Sequence, residues 1–241
     1  MGTFIKTPTS HTSEIMGDIG FDFVVIDEEH APFDRVAIDM ALLGARAAAT
    51  AGIVRVARPD AANILSALDD GAIGVLVPHV NSVEKAQQAV IAARYRGGRR
   101  GFSNSPRAGR YGGLPLPMHI QRSDEQTAVI AMIEDPEAVE VIDAIARVQG
   151  IDAFFLGRAD LAVAMGADAL DAPAVCKAVE RICRAAREAS MRICAMVANA
   201  AESALLTELG VSAFVVASDQ TFMRRAATSA LDEFRSKWAA A

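Results

Sequence analysis

The run FDFVVIDE (21–28) decides the fold class, because four consecutive apolar residues are followed directly by acidic ones. A short apolar run of this kind is typical of a parallel strand that is buried on both faces. Seven comparable runs follow or precede it, at residues 3–8, 52–57, 74–80, 128–134, 152–157, 192–198 and 212–218. Alanine-rich amphipathic segments such as 82–95 and 136–148 separate them. Eight strand–helix units predict a (β/α)8 TIM barrel, with residues 1–241 as a single domain. A doubly wound open sheet is the alternative, but no GxGxxG motif follows any strand.

The composition narrows the class of function. A formal net charge of −6 leaves no basic surface for nucleic acid or an anionic membrane. No apolar run reaches the roughly 18–20 residues that span a bilayer. The N-terminal sequence lacks the charged start and apolar stretch of a secretory signal, and the three cysteines form no CxxC pair. We therefore expect a cytoplasmic protein that acts on small molecules, with no nucleic-acid or membrane partner.

A barrel places its catalytic groups at the carboxyl ends of the strands, which can be tested on the sequence. Polar residues do gather at these positions: Asp27, Glu28, Glu29 and His30 after the second strand, Arg55 within the third, His79 near the end of the fourth, Glu134 at the end of the fifth and Asp160 after the sixth. The pattern predicts that these polar side chains meet at one end of the barrel, the mouth formed by the carboxyl ends of the strands.

Glu134 and Asp160 are the best candidates for metal ligands. Hard divalent cations such as Mg²⁺, Mn²⁺ or Co²⁺ prefer carboxylate oxygens, and two carboxylates leave positions open for water and substrate. Asp160 could instead be a helix N-cap, since the helix-like LAVAMG follows it. Glu134 could be a solvated strand end.

His30 and Arg55 are the candidates for proton transfer and charge stabilisation. A histidine moves protons near neutral pH, although a lone histidine is more often structural. Arg55 interrupts the apolar run GIVRVA, so its guanidinium must be paired or face a polar cavity, where it could stabilise an enolate. Arg58 competes for that role. The arginines of residues 94–110 are expected to be solvated, or to belong to a subunit contact or a lid.

The segment GFDFVVIDEEHAPFD (20–34) resembles the signature of the HpcH/HpaI aldolase family. The resemblance continues through residues 54–95 and 99–112, and returns in 129–166, which contains GRADL. It implies a class II pyruvate aldolase on a (β/α)8 barrel, assembled as a hexamer (a trimer of dimers), with a divalent metal and pyruvate bound as its enolate.

The resemblance also implies roles for individual residues. It assigns the metal to Glu134 and Asp160, the base to His30 and the charge-stabilising arginine to Arg55. Asp69 would raise the basicity of His30. Local sequence alone favours Asp27 for that role, and Asp27 stays a second candidate. The backbone of Gly157, Arg158 and Ala159, with Asp160, would hold the ketoacid carboxylate.

Two residues depart from the family's pattern. Met132 stands where the family commonly has a substrate-binding glutamine, and a thioether donates no hydrogen bond. Arg158 replaces the proline of the more usual GPAD, which would add a charge beside the metal.

The expected reaction is cleavage or formation of a 4-hydroxy-2-ketoacid, giving pyruvate or a related 2-ketoacid and an aldehyde. No Schiff-base lysine is required, because no lysine is expected at the mouth; Lys6, inside the first predicted strand, is the one that could challenge this. Two alternatives stay open. One is a CoA-ester lyase like the citrate lyase β-subunits, and the other is a ketoacid-binding protein without turnover, which Met132 motivates.

Overall fold

A computed structural model describes residues 1–239, so residues 240–241 of the predicted domain lie outside the described part. All eight predicted strands form and pair in parallel, in chain order, as a closed barrel. The strands are β1 (Gly2–Ile5), β2 (Phe23–Asp27), β3 (Ala51–Arg55), β4 (Gly74–Val77), β5 (Ala128–Ile133), β6 (Ala153–Leu156), β7 (Arg192–Val197) and β8 (Ala213–Ser218). The predicted (β/α)8 barrel is confirmed.

Helices alternate with these strands and cover the outside of the barrel. They are α1 (Ser10–Ile19), α2 (Arg35–Ala47), α3 (Ala61–Asp69), α4 (Val83–Ala93), α5 (Leu116–Gln126), α6 (Pro136–Glu140), α7 (Ile142–Ile145), α8 (Arg158–Ala164), α9 (Pro173–Glu188), α10 (Ala200–Glu208) and α11 (Asp219–Ala239). The prediction of a helical segment over 136–148 is wrong in one respect: the helix is divided at Val141 into α6 and α7. Among residues 1–239, no helix combines the length and the apolar character needed to cross a membrane.

Side chains at several helix starts explain where these helices begin. Asp34, Asp60, Ser82 and Asn199 each precede a helix and accept a hydrogen bond from a backbone N–H of its first turn. Such caps satisfy donors that have no partner inside the helix. Because each cap follows a strand end by only a few residues, it also fixes the loop at the mouth.

Two apolar layers hold the barrel together. The larger one lies between the strands and the surrounding helices. The smaller one fills the barrel interior with one buried side chain from each strand: Phe4, Val25, Ile53, Leu76, Met132, Phe155, Cys194 and Val215. The interior is therefore a packed core, and the space for a ligand lies above it at the strand ends.

The irregular segment 97–117 packs against the barrel and includes a 3₁₀ turn, Arg107–Gly109. Three of the arginines expected to be solvated or mobile are in fact buried or nearly so. Arg94 donates to the carbonyl of Thr127 and pairs with Asp152. Arg100 pairs with the buried Asp69, and the buried Arg107 pairs with the partly exposed Asp39. These arginines are anchors because each satisfies loop carbonyls or carboxylates that would otherwise be buried without partners.

Candidate active site

The carboxyl ends of the strands surround one large cavity of about 810 Å³. Seven of the residues singled out from the sequence line it: His30, Arg55, Met132, Gly157, Arg158, Ala159 and Asp160. They come from four different strand ends and meet only because parallel strands of a closed barrel point the same way. The predicted convergence on one mouth is therefore found.

Arg55 and Asp27 form the central ion pair of the mouth. They lie opposite each other on β3 and β2, and Arg55 Nε and Nη2 donate to the two Asp27 carboxylate oxygens at 2.8 and 2.7 Å. Both side chains are buried, and the guanidinium stacks over the Phe4 ring, 4.9 Å from its centre. This fork-like pairing fixes the plane of the guanidinium. Arg58, by contrast, is exposed and faces Asp60, so the structure favours Arg55 as the arginine of the mouth.

Lys6 is a third member of this cluster, and the expectation that no lysine reaches the mouth is wrong. β1 ends at Ile5, so Lys6 is the first residue after the strand and not part of it. The Lys6 side chain lines the cavity. Lys6 Nζ lies 2.6 Å from Asp27 Oδ2. Burial alone would raise the pKa of Asp27, but the hydrogen bonds and charges of Arg55 and then Lys6 outweigh it and lower that pKa.

Carboxylates dominate the other side of the mouth, around Glu134. Glu134 follows β5 directly, is buried, and its Oε1 accepts a 2.8 Å hydrogen bond from the backbone N–H of His79. Burial raises the pKa of Glu134 to about 7, and the charges of Asp160 and Glu29 add to the rise. Glu134 is thus a buried carboxylate with other carboxylates nearby, which rules out the alternative of a solvated strand end.

His79 lies among these carboxylates. Its Nδ1 is 3.1 Å from Asp135 Oδ1, and its Nε2 is 3.8 Å from Glu29 Oε1. Burial alone would lower the pKa of His79, but the hydrogen bond to Asp135 and the charge of Glu134 raise it. His79 also has a positive φ of 53°, a conformation that non-glycine residues adopt rarely. This backbone turn is what aims its N–H at Glu134.

The surroundings of Glu134 and Asp160 fit a divalent cation. Asp160 is exposed in the first turn of α8, and the residue that caps this helix is Gly157, so the N-cap alternative for Asp160 is wrong. A side chain at Gly157 would come within 2.9 Å of Glu134 Oε2, so glycine keeps the space beside that oxygen open. Among residues 1–239 no group of three or more histidine, cysteine or acidic residues is arranged as a metal site. Carboxylate oxygens such as those of Glu134 and Asp160 are the donors that hard divalent cations prefer, and two of them leave other positions open for water and substrate.

His30 and Glu29 lie between the cationic and the acidic sides. His30 is exposed at the cavity edge, with its Nε2 3.6 Å from Glu29 Oε2. That Glu29 oxygen is buried and has no hydrogen-bond partner within the described chain, although Arg55 Nη1 approaches it to 3.4 Å. The carboxylate that faces the His30 ring is therefore Glu29. The hydrogen bond between His30 and Asp27 involves the His30 backbone and not its ring: the His30 N–H donates to Asp27 Oδ1 at 3.2 Å.

The role implied for Asp69 is not supported within one chain. Asp69 is the last residue of α3, a helix that runs back from the mouth, so it lies at the opposite end of the barrel. Its Oδ1 accepts a 2.9 Å hydrogen bond from Arg100, and both side chains are buried. Asp69 therefore does not orient His30 of its own chain.

The two departures from the family pattern have different structural consequences. Met132 belongs to the packed layer inside the barrel and its side chain reaches the cavity floor beside Gly157. Arg158 turns sideways and donates at 2.7 Å both to the carbonyl of Met196 and to Glu202. Glu202 thus pairs with Arg158, and both side chains lie in the wall of the cavity.

Sequence reasoning did not assign a role to Lys6 or to the basic residues of α11. Arg224 and Arg225, in the second turn of that helix, line the cavity beyond β8. Reading the first strand to its end in the same way as the middle ones would have found Lys6, which directly follows β1. The two arginines lie inside α11, so this rule would not have found them. Glu29 was noted as a strand-end residue but was given no function.

A (β/α)8 barrel whose acidic, basic and histidine groups meet at the carboxyl ends of its strands has the architecture of an enzyme. The family model of the HpcH/HpaI aldolase/citrate lyase family matches residues 1–226, and the chain belongs to this family. The predicted family and the predicted carbon–carbon lyase class are thereby confirmed.

Individual relatives agree with this assignment. A 5-keto-4-deoxy-D-glucarate aldolase of Enterobacter sp. (strain 638) is 32% identical over 226 residues, which is 93% of this chain and 88% of that protein. An HpcH/HpaI aldolase/citrate lyase family protein from Burkholderia cenocepacia J2315 superposes with a TM-score of 0.91 at 28% identity, covering 97% of this chain and 93% of that one. The citrate synthase SbnG superposes with a TM-score of 0.89 at 31% identity, covering 98% and 93%.

Proposed function

We propose that this protein is a divalent-metal-dependent class II aldolase. It would cleave or form a 4-hydroxy-2-ketoacid, giving pyruvate or a related 2-ketoacid and an aldehyde. The observation that carries the proposal is the division of one mouth into two sides. Arg55, locked by Asp27, lies on β3, and the carboxylates Glu134 and Asp160 lie across the mouth after β5 and β6.

Glu134 and Asp160 would hold the cation, which could be Mg²⁺, Mn²⁺ or Co²⁺. When bound, such an ion would act as a Lewis acid toward the ketoacid. The first turn of α8 would contribute to binding as well, since the backbone of Gly157, Arg158 and Ala159 lines the cavity and the start of a helix favours a carboxylate.

Arg55 would stabilise the negative charge that develops on the C2 oxygen during the reaction. A guanidinium whose plane is already fixed by a buried carboxylate does not need to reorganise when the charge appears, which is the condition for efficient electrostatic catalysis. Lys6 and Arg55 together bring two positive charges to Asp27, so the guanidinium of Arg55 is not the only cation that compensates this buried carboxylate.

His30 would take the proton in the cleavage direction. It removes the C4 hydroxyl proton, the C3–C4 electron pair moves toward the C2 carbonyl, and the aldehyde leaves. A proton then returns to C3 and yields the ketoacid. Glu29 would stabilise the protonated His30 ring, since it is the carboxylate that faces it, 3.6 Å away. Because His30 is at the open edge of the cavity, protons can exchange with solvent.

A homo-oligomer forms part of the proposal. Four large apolar side chains of α11 are exposed by about half or more: Met223, Leu231, Phe234 and Trp238. Apolar surface of this kind on a terminal helix supports a contact with another subunit. The mass of the particle in solution, measured by light scattering, tests this separately from catalysis.

A synthesis assay tests the proposed reaction. The protein is incubated with pyruvate and a panel of aldehydes, with Mg²⁺, Mn²⁺ or Co²⁺ or with EDTA, and products are detected by mass spectrometry. Metal-dependent 4-hydroxy-2-ketoacids are expected. A parallel sample with acetyl-CoA or a malyl-type CoA ester tests the CoA-ester lyase, whose product would replace the aldol. Binding of pyruvate without product in any sample would support the binding protein that Met132 suggests.

A further inference from the structure

A second cavity lies at the end of the barrel opposite the mouth. It measures about 310 Å³ and opens among the loops that lead into β3, β4 and β5, with Thr50, Ile73 and Thr127 in its wall. These residues directly precede the three strands, so the cavity belongs to the amino-terminal face of the barrel. None of the residues given a role in the proposed reaction lines it.

The charge of this cavity is unusual for the chain. Five arginines line it: Arg46, Arg100, Arg107, Arg110 and Arg122. No aspartate or glutamate lines it, even though the whole protein carries a net charge of −6. Collecting like charges around one concave space costs free energy unless an opposite charge enters it. The arrangement therefore indicates an anion.

Acidic groups outside the cavity neutralise only part of this charge. Arg100 pairs with Asp69 at 2.9 Å, and Arg107 pairs with Asp39 at 2.8 Å. Among residues 1–239, Arg46, Arg110 and Arg122 form no ion pair, and all three are exposed at the rim. Arg122 Nε donates a hydrogen bond to Gln126 Oε1 at 2.9 Å, so its two terminal nitrogens, with the guanidinium groups of Arg46 and Arg110, surround an inner wall of two paired arginines.

Arg100 gives an independent indication of a ligand. Its side chain is 1% exposed, and its Nε is buried without a hydrogen-bond partner within the described chain. A buried guanidinium donor without a partner is costly, and native structures leave few of them unexplained. Arg100 is held in place by Asp69 and by stacking over the Tyr95 ring, 4.6 Å from its centre, so its position does not depend on a ligand.

We propose that this amino-terminal cavity is a binding site for a small multivalent anion, either a phosphate-bearing or a polycarboxylate metabolite. A monovalent anion would leave most of the positive charge unbalanced, and a cavity of about 310 Å³ is at the small end of ligand sites. Ser123 adds a hydroxyl donor to the arginines, while Leu42, Leu68 and Ile73 supply apolar wall. The site is distinct from the mouth, so its ligand is an effector and not a substrate.

Binding of inorganic pyrophosphate and of citrate to the metal-free full-length protein, followed by calorimetry at 0.15 M NaCl, tests the proposal. The test variant is Arg46→Gln combined with Arg122→Gln, because both arginines are exposed on regular helices where glutamine is equally acceptable. The matched control is Arg224→Gln, an exposed arginine of the active mouth. A melting curve for each variant verifies folding.

We expect one site per chain for at least one of the two probes. The double variant should weaken it by about tenfold or more, as expected for lost charge-assisted hydrogen bonds, and Arg224→Gln should leave it unchanged. A preference for pyrophosphate or for citrate identifies a phosphate-bearing or a carboxylate ligand. The proposal is overturned if neither probe binds, if the double variant binds as well as the wild type, or if Arg224→Gln alone removes binding.

Discussion

Lys6 Nζ lies 2.6 Å from Asp27 Oδ2, and so joins a lysine at the end of β1 to the buried carboxylate that holds Arg55. The lysine side chain is about one quarter exposed, whereas Asp27 is fully buried. This contact links the carboxyl ends of β1 and β2 at the mouth of the barrel, where the proposed reaction takes place. It also means that the charge of Asp27 depends on two cations and not on one.

Replacing Lys6 by methionine should make the protein more sensitive to acid. The folded-state pKa of Asp27 is lowered, so its stabilisation is complete above the unfolded value of roughly 3.9 and is lost as the pH falls through the folded pKa. Removing one cation raises that folded pKa. The midpoint of acid unfolding, measured by circular dichroism, should therefore move to higher pH. Lys177→Met removes an exposed lysine and should not move it; equal midpoints for both variants would contradict the role of Lys6.

Lys6 should not form a Schiff base with pyruvate, even though it is at the mouth. Its ammonium group is held by the buried carboxylate of Asp27, whereas attack on a carbonyl requires a free amine. Treatment with pyruvate and sodium borohydride should leave the mass of the protein unchanged. A reduced pyruvate adduct that disappears in Lys6→Met would mean that the reaction follows the covalent, class I route.

Glu134→Gln should remove tight binding of Mn²⁺. The amide still accepts the hydrogen bond from the backbone N–H of His79, so the fold of the loop is kept while a negatively charged donor is lost. We expect Mn²⁺ affinity, measured by calorimetry or electron paramagnetic resonance, to fall at least about tenfold, and Asp160→Asn to act in the same direction. Glu14→Gln, on the exposed face of α1, is the charge-matched control. Unchanged Mn²⁺ binding in Glu134→Gln would place the cation elsewhere.

Met132→Gln should tighten pyruvate binding. The methionine reaches the cavity floor beside Gly157, and an amide at this position could donate a hydrogen bond that a thioether cannot. One added hydrogen bond corresponds to about a fivefold decrease in the dissociation constant for pyruvate. Met196→Gln changes a second methionine of the same cavity, on β7, and should have no such effect. If Met132→Gln binds pyruvate no better, the methionine is not the group that limits positioning.

The fold could be predicted from the sequence because most of the strands are buried on both faces and are therefore almost continuously apolar. The runs that became β2 and β6 show this directly, with FVVI and AFFL bounded by charged or glycine residues. Helix boundaries were less certain. The division at Val141 depends on how α6 and α7 each pack against α9, and this tertiary contact leaves no periodic signal in the sequence.

The sequence could predict which residues form the candidate site, but not which of their side chains pair with each other. Reading the strand ends identified Arg55, Glu134 and Asp160 as candidates, but it did not show which residues they contact. The pairing of Lys6 with Asp27 depends on the register between β1 and β2, and the pairing of Asp69 with Arg100 depends on where α3 ends. Both are long-range relationships that the sequence does not display, so the role that the resemblance implied for Asp69 could not be checked against the position of His30 before the fold was known.

The measurement that tests the central claim most directly is proton–deuterium exchange at the methyl group of pyruvate, followed by NMR in D₂O. It isolates enolate formation and needs no knowledge of the aldehyde. With Mg²⁺, Mn²⁺ or Co²⁺ the wild type should exchange the methyl protons. EDTA should abolish the exchange, and Arg55→Lys should slow it by roughly a hundredfold or more, since lysine cannot reproduce the two-point pairing with Asp27. His30→Ala should reduce it as well. An absence of exchange with every metal, while pyruvate still binds, would contradict the aldolase account.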